Sequence, residues 1–165
     1  MSGAPAVMTD AVRQAAQRSV LCWLATVDAK GQPNVSPKEV WAIADDRHVV
    51  VANIASPMSV RNIWQQPQVC LSFVDVLVQK GFKLQGRARE LLPGDANYAH
   101  WAAPVLAMAG DRIPVRSVLL IAVDAVQPIV APSYWLFPET TTEASQIKAA
   151  RRSYGLMPLS HTTSV

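Results

Sequence analysis

VLCWLATV (20–27), DAKGQPN, VSPKEVWAI (35–43), ADDR and HVVVANIA (48–55) form the stretch that decides the fold. Three apolar runs rich in β-branched and aromatic residues alternate with short clusters of Asp, Gly, Pro and Asn, the pattern of antiparallel strands joined by tight turns. Upstream, Thr9 can cap a helix whose apolar face is Ala11, Val12, Ala15 and Ala16, with Asp10 in its first turn. Downstream, Ser56 and Pro57 start a second helix, serine at the N-cap and proline in the first turn, which runs to about Gln66 before Pro67 stops it.

The chain then resumes its strands. QVCLSFVDVLV (68–78), a QKG turn and FKLQGRARELL (82–92) follow; the last places Lys83, Gln85, Arg87 and Arg89 on one face and Phe82, Leu84, Gly86, Ala88 and Glu90 on the other. Pro93-Gly94-Asp95 opens a third helical stretch to about Met108, and VRSVLLIAVDAVQPIV (115–130) is long enough for a bent final strand. Beyond Pro132 the composition turns to Thr, Ser and Pro, with a short helical patch around EASQIKAARRSYG, which reads as a tail wrapping the surface or a partner. The expectation is one domain over 1–165, with a core at about 18–130 and a tail at about 131–165. Its class is mainly β, a six-stranded antiparallel barrel with helices.

Composition narrows the function. A length of 165 residues with half of them apolar suits one well-buried core. No apolar run reaches the roughly 20 residues that span a bilayer, and the N-terminal residues lack a basic start followed by an apolar block, so no membrane association and a cytoplasmic location are expected. The net charge of +3 is scattered, which favours an anionic ligand over nucleic acid. Cys22 and Cys70 sit in apolar runs and read as buried, inert thiols. His48, His100 and His161 are too far apart for metal-ligand spacing, so no metal site is expected.

Two features point to an anion. The helix beginning Ser56-Pro57-Met58-Ser59-Val60-Arg61 presents free amides and a partial positive charge, to which Ser56, Ser59 and Arg61 can add donors. Lys38 lies inside an otherwise apolar strand, and its neighbour Glu39 points to the opposite face, so the lysine needs a partner from elsewhere. Lys80, at the QKG turn, is a second cation, with Gly81 permitting close backbone approach. Two or three charge-assisted contacts of roughly 1.5 to 3 kcal/mol each reach only part of the roughly 8 kcal/mol of micromolar binding, so the ligand also needs a flat apolar body.

The order LATVDAKGQPNVSPKEVWAI, VVVANIASPMSVRNIWQQPQVCLSF, QKGFKLQGRARE resembles the FMN-binding split β-barrel family that includes pyridoxamine 5′-phosphate oxidase, over roughly residues 18 to 130. The resemblance implies an FMN cofactor in a homodimer, with both subunits lining each site. It places Ser36, Pro37, Lys38, Glu39, Val40 and Trp41 along the flavin ring, with Ala52 and Asn53 at the ribityl chain or ring edge. Ser56, Pro57, Met58 and Ser59 match the phosphate turn, and Lys80 and Gly81 the loop closing over the cofactor. Many members carry Lys or Arg where Met58 or Ser59 stands, so the phosphate needs hydroxyls, amides and a cation from elsewhere, with Arg61 and Lys80 as candidates. Lys38 is expected to reach the phosphate or the ring's N1–C2 side. The chain ends SHTTSV, with Leu159-Ser160 before His161 instead of the family's Arg-x-His substrate motif, so vitamin B6 oxidation is not expected.

Trp101, Tyr134 and Trp135 are candidates to cross the dimer or pack in the core. The expected activity is that of a flavin-dependent oxidoreductase of unspecified substrate. The alternatives are a non-catalytic FMN or electron carrier, a deazaflavin or haem binder on the same barrel, and an interaction module with a degenerate site. No residue stands out as an acid or base.

Overall fold

The computed structural model describes residues 8–156. One antiparallel sheet of seven strands runs through it in the order β2-β1-β5-β6-β7-β4-β3 and curls into a split β-barrel. The strands are β1 (Cys22–Val27), β2 (Pro33–Lys38), β3 (Trp41–Ile43), β4 (His48–Asn53), β5 (Gln68–Asp75), β6 (Lys80–Leu91) and β7 (Ser117–Val130). Helices α1 (Asp10–Gln17), α2 (Pro57–Gln65), α3 (Tyr98–Ala109), α4 (Ser133–Leu136) and α5 (Glu143–Ser153) surround it.

The seventh strand corrects the expected six. The single run 35–43 divides into β2 and β3 because its partner changes: Lys38 pairs with Cys22 of β1, whereas Trp41 pairs with Val51 of β4. Between them Glu39 is exposed and Val40 buried, and alternation breaks because Val40 and Trp41 are both buried, in different cores. This bend carries the chain from one edge of the sheet to the other. The edge position of β2 also lets it hold Pro33 and Pro37, whose missing amides cost no ladder bond on the open side.

Two apolar cores follow. The barrel interior packs Leu24, Trp41, Leu71, Phe73, Leu84 and Leu119, among others, with Val12 and Ala15 of α1 and Val60 and Ile63 of α2. A second core lies on the outer face, where Ala102, Val105 and Ala109 of α3 cover Val50, Val118 and Leu120. Thr9 caps α1 as expected, its hydroxyl accepting from the Val12 amide at 3.4 Å. The third helix starts later than expected, at Tyr98, after a turn in which the Asp95 carboxylate accepts from the Leu92 amide at 2.7 Å and Asn97 takes a φ of 65°. β6 and β7 pair over their whole length around a bulge at Gln85/Gly86, which bends the long final hairpin.

The expected QKG turn also moves. The β5–β6 turn is Val76–Gln79, with Gln79 at a φ of 56°, and Lys80 and Gly81 are the first residues of β6. Gly81 is required by the sheet: a Cβ there would collide with the Phe73 carbonyl oxygen of β5. No helix among the described residues is long and apolar enough to cross a membrane. His161 lies outside the described residues.

Candidate functional site

The inward face of β2 is polar. Asn34, Ser36 and Lys38 alternate with the exposed Pro33, Val35 and Pro37, so all three side chains point at α2. There the Lys38 ammonium donates to Ser56 Oγ at 2.5 Å and to Ser59 Oγ at 3.5 Å, and Ser59 Oγ lies 3.1 Å from Ser36 Oγ. Further along, Thr26 Oγ1 accepts from Asn34 at 3.4 Å and from Asn62 of α2 at 3.0 Å. A seam of hydroxyls and amides thus holds the helix onto the barrel wall, with the lysine at the end where the helix begins.

Lys38 is only 5% exposed, and among the described residues no carboxylate pairs with it. Burial therefore pulls its pKa below the usual lysine value, because the charged form has lost water without gaining an anion. Ser56 occupies the N-cap position, but its side chain does not cap the helix as expected; its hydroxyl accepts from Lys38 instead. The first amides of α2 are left without a side-chain cap, facing the same place as the lysine. The donor set of a buried ammonium, three serine hydroxyls and free helix amides suits a phosphate.

A second network braces this turn. Asn53 ends β4, and its Oδ1 accepts from the Ser56 amide at 3.3 Å, while its Nδ2 donates to Ser117 Oγ at 2.8 Å. The Ser117 hydroxyl donates to Glu90, whose other oxygen accepts from Trp64 Nε1 at 3.0 Å. Neither Glu90 nor Ser117 stands out in the sequence, because their meeting depends on the β6–β7 and β4–β7 register.

The remaining expected residues divide. Glu39 and Trp41 line a cavity of about 530 Å³ between α1, the β2–β3 bend and the end of α3, with Arg13, Ser19 and Met108. Trp41 itself is buried against Phe73, ring centroids 5.1 Å apart. Pro37 is exposed on β2, Val40 packs in the outer core, and Ala52 is buried on β4. Pro57 and Met58 are exposed at the start of α2. Arg61 is exposed and lines a cavity of about 430 Å³ beside Met58 and Lys30.

Lys80 and Gly81 do not join the cluster. Along the register, Lys38 faces Cys22, Cys22 faces Phe73, and Phe73 faces Phe82, which puts the start of β6 three strands away. There Lys80 pairs with Glu143 at 2.9 Å and lies 4.2 Å above the Tyr134 ring, whose hydroxyl donates to the Val78 carbonyl at 2.8 Å. Within one chain the cation that donates to Ser56 and Ser59 is Lys38. Its signal in the sequence is the i, i+2 spacing from Ser36.

Burial pushes the Cys22 thiol up to about 12, so it stays protonated beside Lys38. No group of three or more His, Cys, Asp or Glu side chains fit to hold a metal ion occurs among the described residues.

Among solved structures, the fold is similar to HupZ of Group A Streptococcus, with 26% identity and a TM-score of 0.64 over 74% of this chain and 94% of that one. It is similar to an FMN-binding protein from Syntrophomonas wolfei subsp. wolfei, with 14% identity and a TM-score of 0.58 over 71% and 82% of the two chains. HutZ, the heme storage protein from Vibrio cholerae, is similar at 18% identity and a TM-score of 0.56 over 69% and 87%. These last two share the fold alone. No curated protein matches the chain. The model of the pyridoxamine 5′-phosphate oxidase family matches residues 8–129, and the chain belongs to that family.

Proposed function

We propose that this chain binds FMN and serves as a flavin-dependent oxidoreductase of unspecified substrate. The observation that carries the reading is Lys38, a buried cation that meets only hydroxyl groups at the uncapped start of a helix. In this reading Lys38, Ser56, Ser59 and the first amides of α2 hold the phosphate, with Ser36 orienting Ser59. Asn53, fixed by Ser117 and Glu90, keeps the turn in place. The strand from Ser36 to Trp41 lies along the ring, and the cavity at Glu39 and Trp41 gives room beside it. Bound flavin supplies the electron or hydride transfer; the protein binds it, orients it and limits water.

The site is completed by a second subunit. The start of β6, with Lys80 and Gly81, is three strands from Lys38 within one chain, which supports a cofactor shared across an interface. Consecutive exposure of Trp135, Leu136 and Phe137, together with exposed Trp23 and Val35 on β1 and β2, supports burial of apolar surface in a homodimer.

The test is an absorption spectrum of the purified protein after incubation with excess FMN and desalting, with sedimentation for the oligomeric state. A stoichiometric flavin band on a dimer is expected. A protein that stays colourless, or that takes up haem with a Soret band and refuses FMN, sinks the reading. Bleaching of the bound band by a reduced substrate separates an oxidoreductase from a flavin carrier.

A further inference from the structure

We infer that a trough on the outer face of the barrel, against the side of α3, is a second ligand site, one that takes a small planar aromatic anion. The trough encloses about 500 Å³, within the range of small-molecule sites. Its floor is Leu120 and Ala122 of β7, its wall is Trp101 of α3, and its far side carries Arg87 and Arg89 of β6. It is separate from the Lys38 cluster, which faces α2 from the inner side of β2.

The two arginines stand two residues apart on one strand, so both project from the same face. Among the described residues neither guanidinium makes an ion pair or a side-chain hydrogen bond. The acidic groups nearby do not neutralise them: Asp45 is engaged by His48 at 2.9 Å, and Asp124, two residues beyond Ala122 on the same face, bridges to neither. Two free planar forks can take a carboxylate or phosphate by paired hydrogen bonds.

Trp101 supplies the other half. Its ring is braced on two sides, by His48 at 4.8 Å between centroids and an interplanar angle of 54°, and by His100 at 4.9 Å and 72°. An aromatic wall fixed in this way gives a ligand ring a surface to pack on without ordering a mobile side chain. The apolar floor adds contact beneath the ring. An aromatic body against Trp101 with its anionic group on Arg87 and Arg89 uses every part of the trough.

The test is calorimetric titration of the full-length protein, pre-saturated with FMN, with 2-naphthyl phosphate and with 2-naphthoate. One-to-one saturable binding is expected. It should weaken at least tenfold in the Arg87→Gln/Arg89→Gln double variant and stay unchanged in Lys30→Gln, an exposed cation outside the trough. Both arginines are exposed, so the double variant folds, and Trp101→Leu reports on the wall. Tighter binding of the phosphate identifies a nucleotide-like ligand, and tighter binding of the carboxylate an aromatic acid; either supports the site. No saturation up to millimolar probe, or binding that the arginine double variant retains unchanged, overturns it.

Discussion

At the start of α2, Lys38 is buried and touches only the hydroxyls of Ser56 and Ser59; at the start of β6, Lys80 is partly exposed and touches the Glu143 carboxylate and the Tyr134 ring. Both lysines lie in strands of the same sheet, and both stand out in the sequence as candidate anion ligands. The difference lies in how far each charge is satisfied by its own chain. Lys80 has its counter-ion, supplied by the tail. Lys38 has lost water and gained no anion, an arrangement that costs stability unless a ligand completes it. An incomplete buried site is therefore a better pointer to a ligand than a cation alone.

The largest effect that probes this contrast concerns the backbone at the second region. Gly81→Ala forces a Cβ into the Phe73 carbonyl oxygen, and a loss of about 3 kcal/mol is expected in urea unfolding. If Gly81 instead served only a ligand, the variant would unfold like the wild type and fail only in binding.

Next is the cost of the unpaired charge. Lys38→Met should stabilise the ligand-free protein by about 1 kcal/mol, read as a higher Tm, because it removes a buried ammonium with no counter-ion. The pH dependence has a definite sign. The folded pKa of Lys38 lies below its unfolded value, so between the two the unfolded chain binds more protons and stability rises with pH. This rise should flatten in Lys38→Met. FMN should also bind less tightly as pH climbs through the same window, since the phosphate needs the charged lysine.

The smallest effect belongs to Lys80. Its partner Glu143 is half-exposed, so a double-mutant cycle between Lys80→Ala and Glu143→Gln should return about 0.5 kcal/mol, falling further in high salt. Lys80 holds the Glu143 carboxyl below its ordinary pKa, so the pair contributes above the usual carboxylate range and is lost as pH falls through the lowered value. A coupling of several kcal/mol would show that the tail is held much more firmly than an exposed pair allows.

Much of this architecture is legible in the amino-acid sequence. The strand runs, the Thr9 cap, the Pro57 helix start and the tail helix after Thr142 follow from local chemistry, because each depends on residues close in sequence. The division of 35–43 into two strands does not, since it arises from a change of partner between β1 and β4. Adjacent burial of Val40 and Trp41 is its only local trace. Lys38 is conspicuous as a cation inside the run 35–43, yet its meeting with Ser59 depends on how α2 docks on β2. The Asn53–Ser117–Glu90–Trp64 brace is hidden for the same reason, being assembled from four elements by register.

The FMN dissociation constant, measured by flavin fluorescence for the wild type, Lys38→Ala and Lys80→Ala, tests the contrast most directly. Lys38→Ala should weaken binding by about 100-fold, the worth of a buried charge-assisted contact, and Lys80→Ala by about threefold, because Glu143 already offsets its charge. Equal losses in the two variants, or a Lys38→Ala protein that holds FMN as well as the wild type, would contradict the assignment of the phosphate to the start of α2.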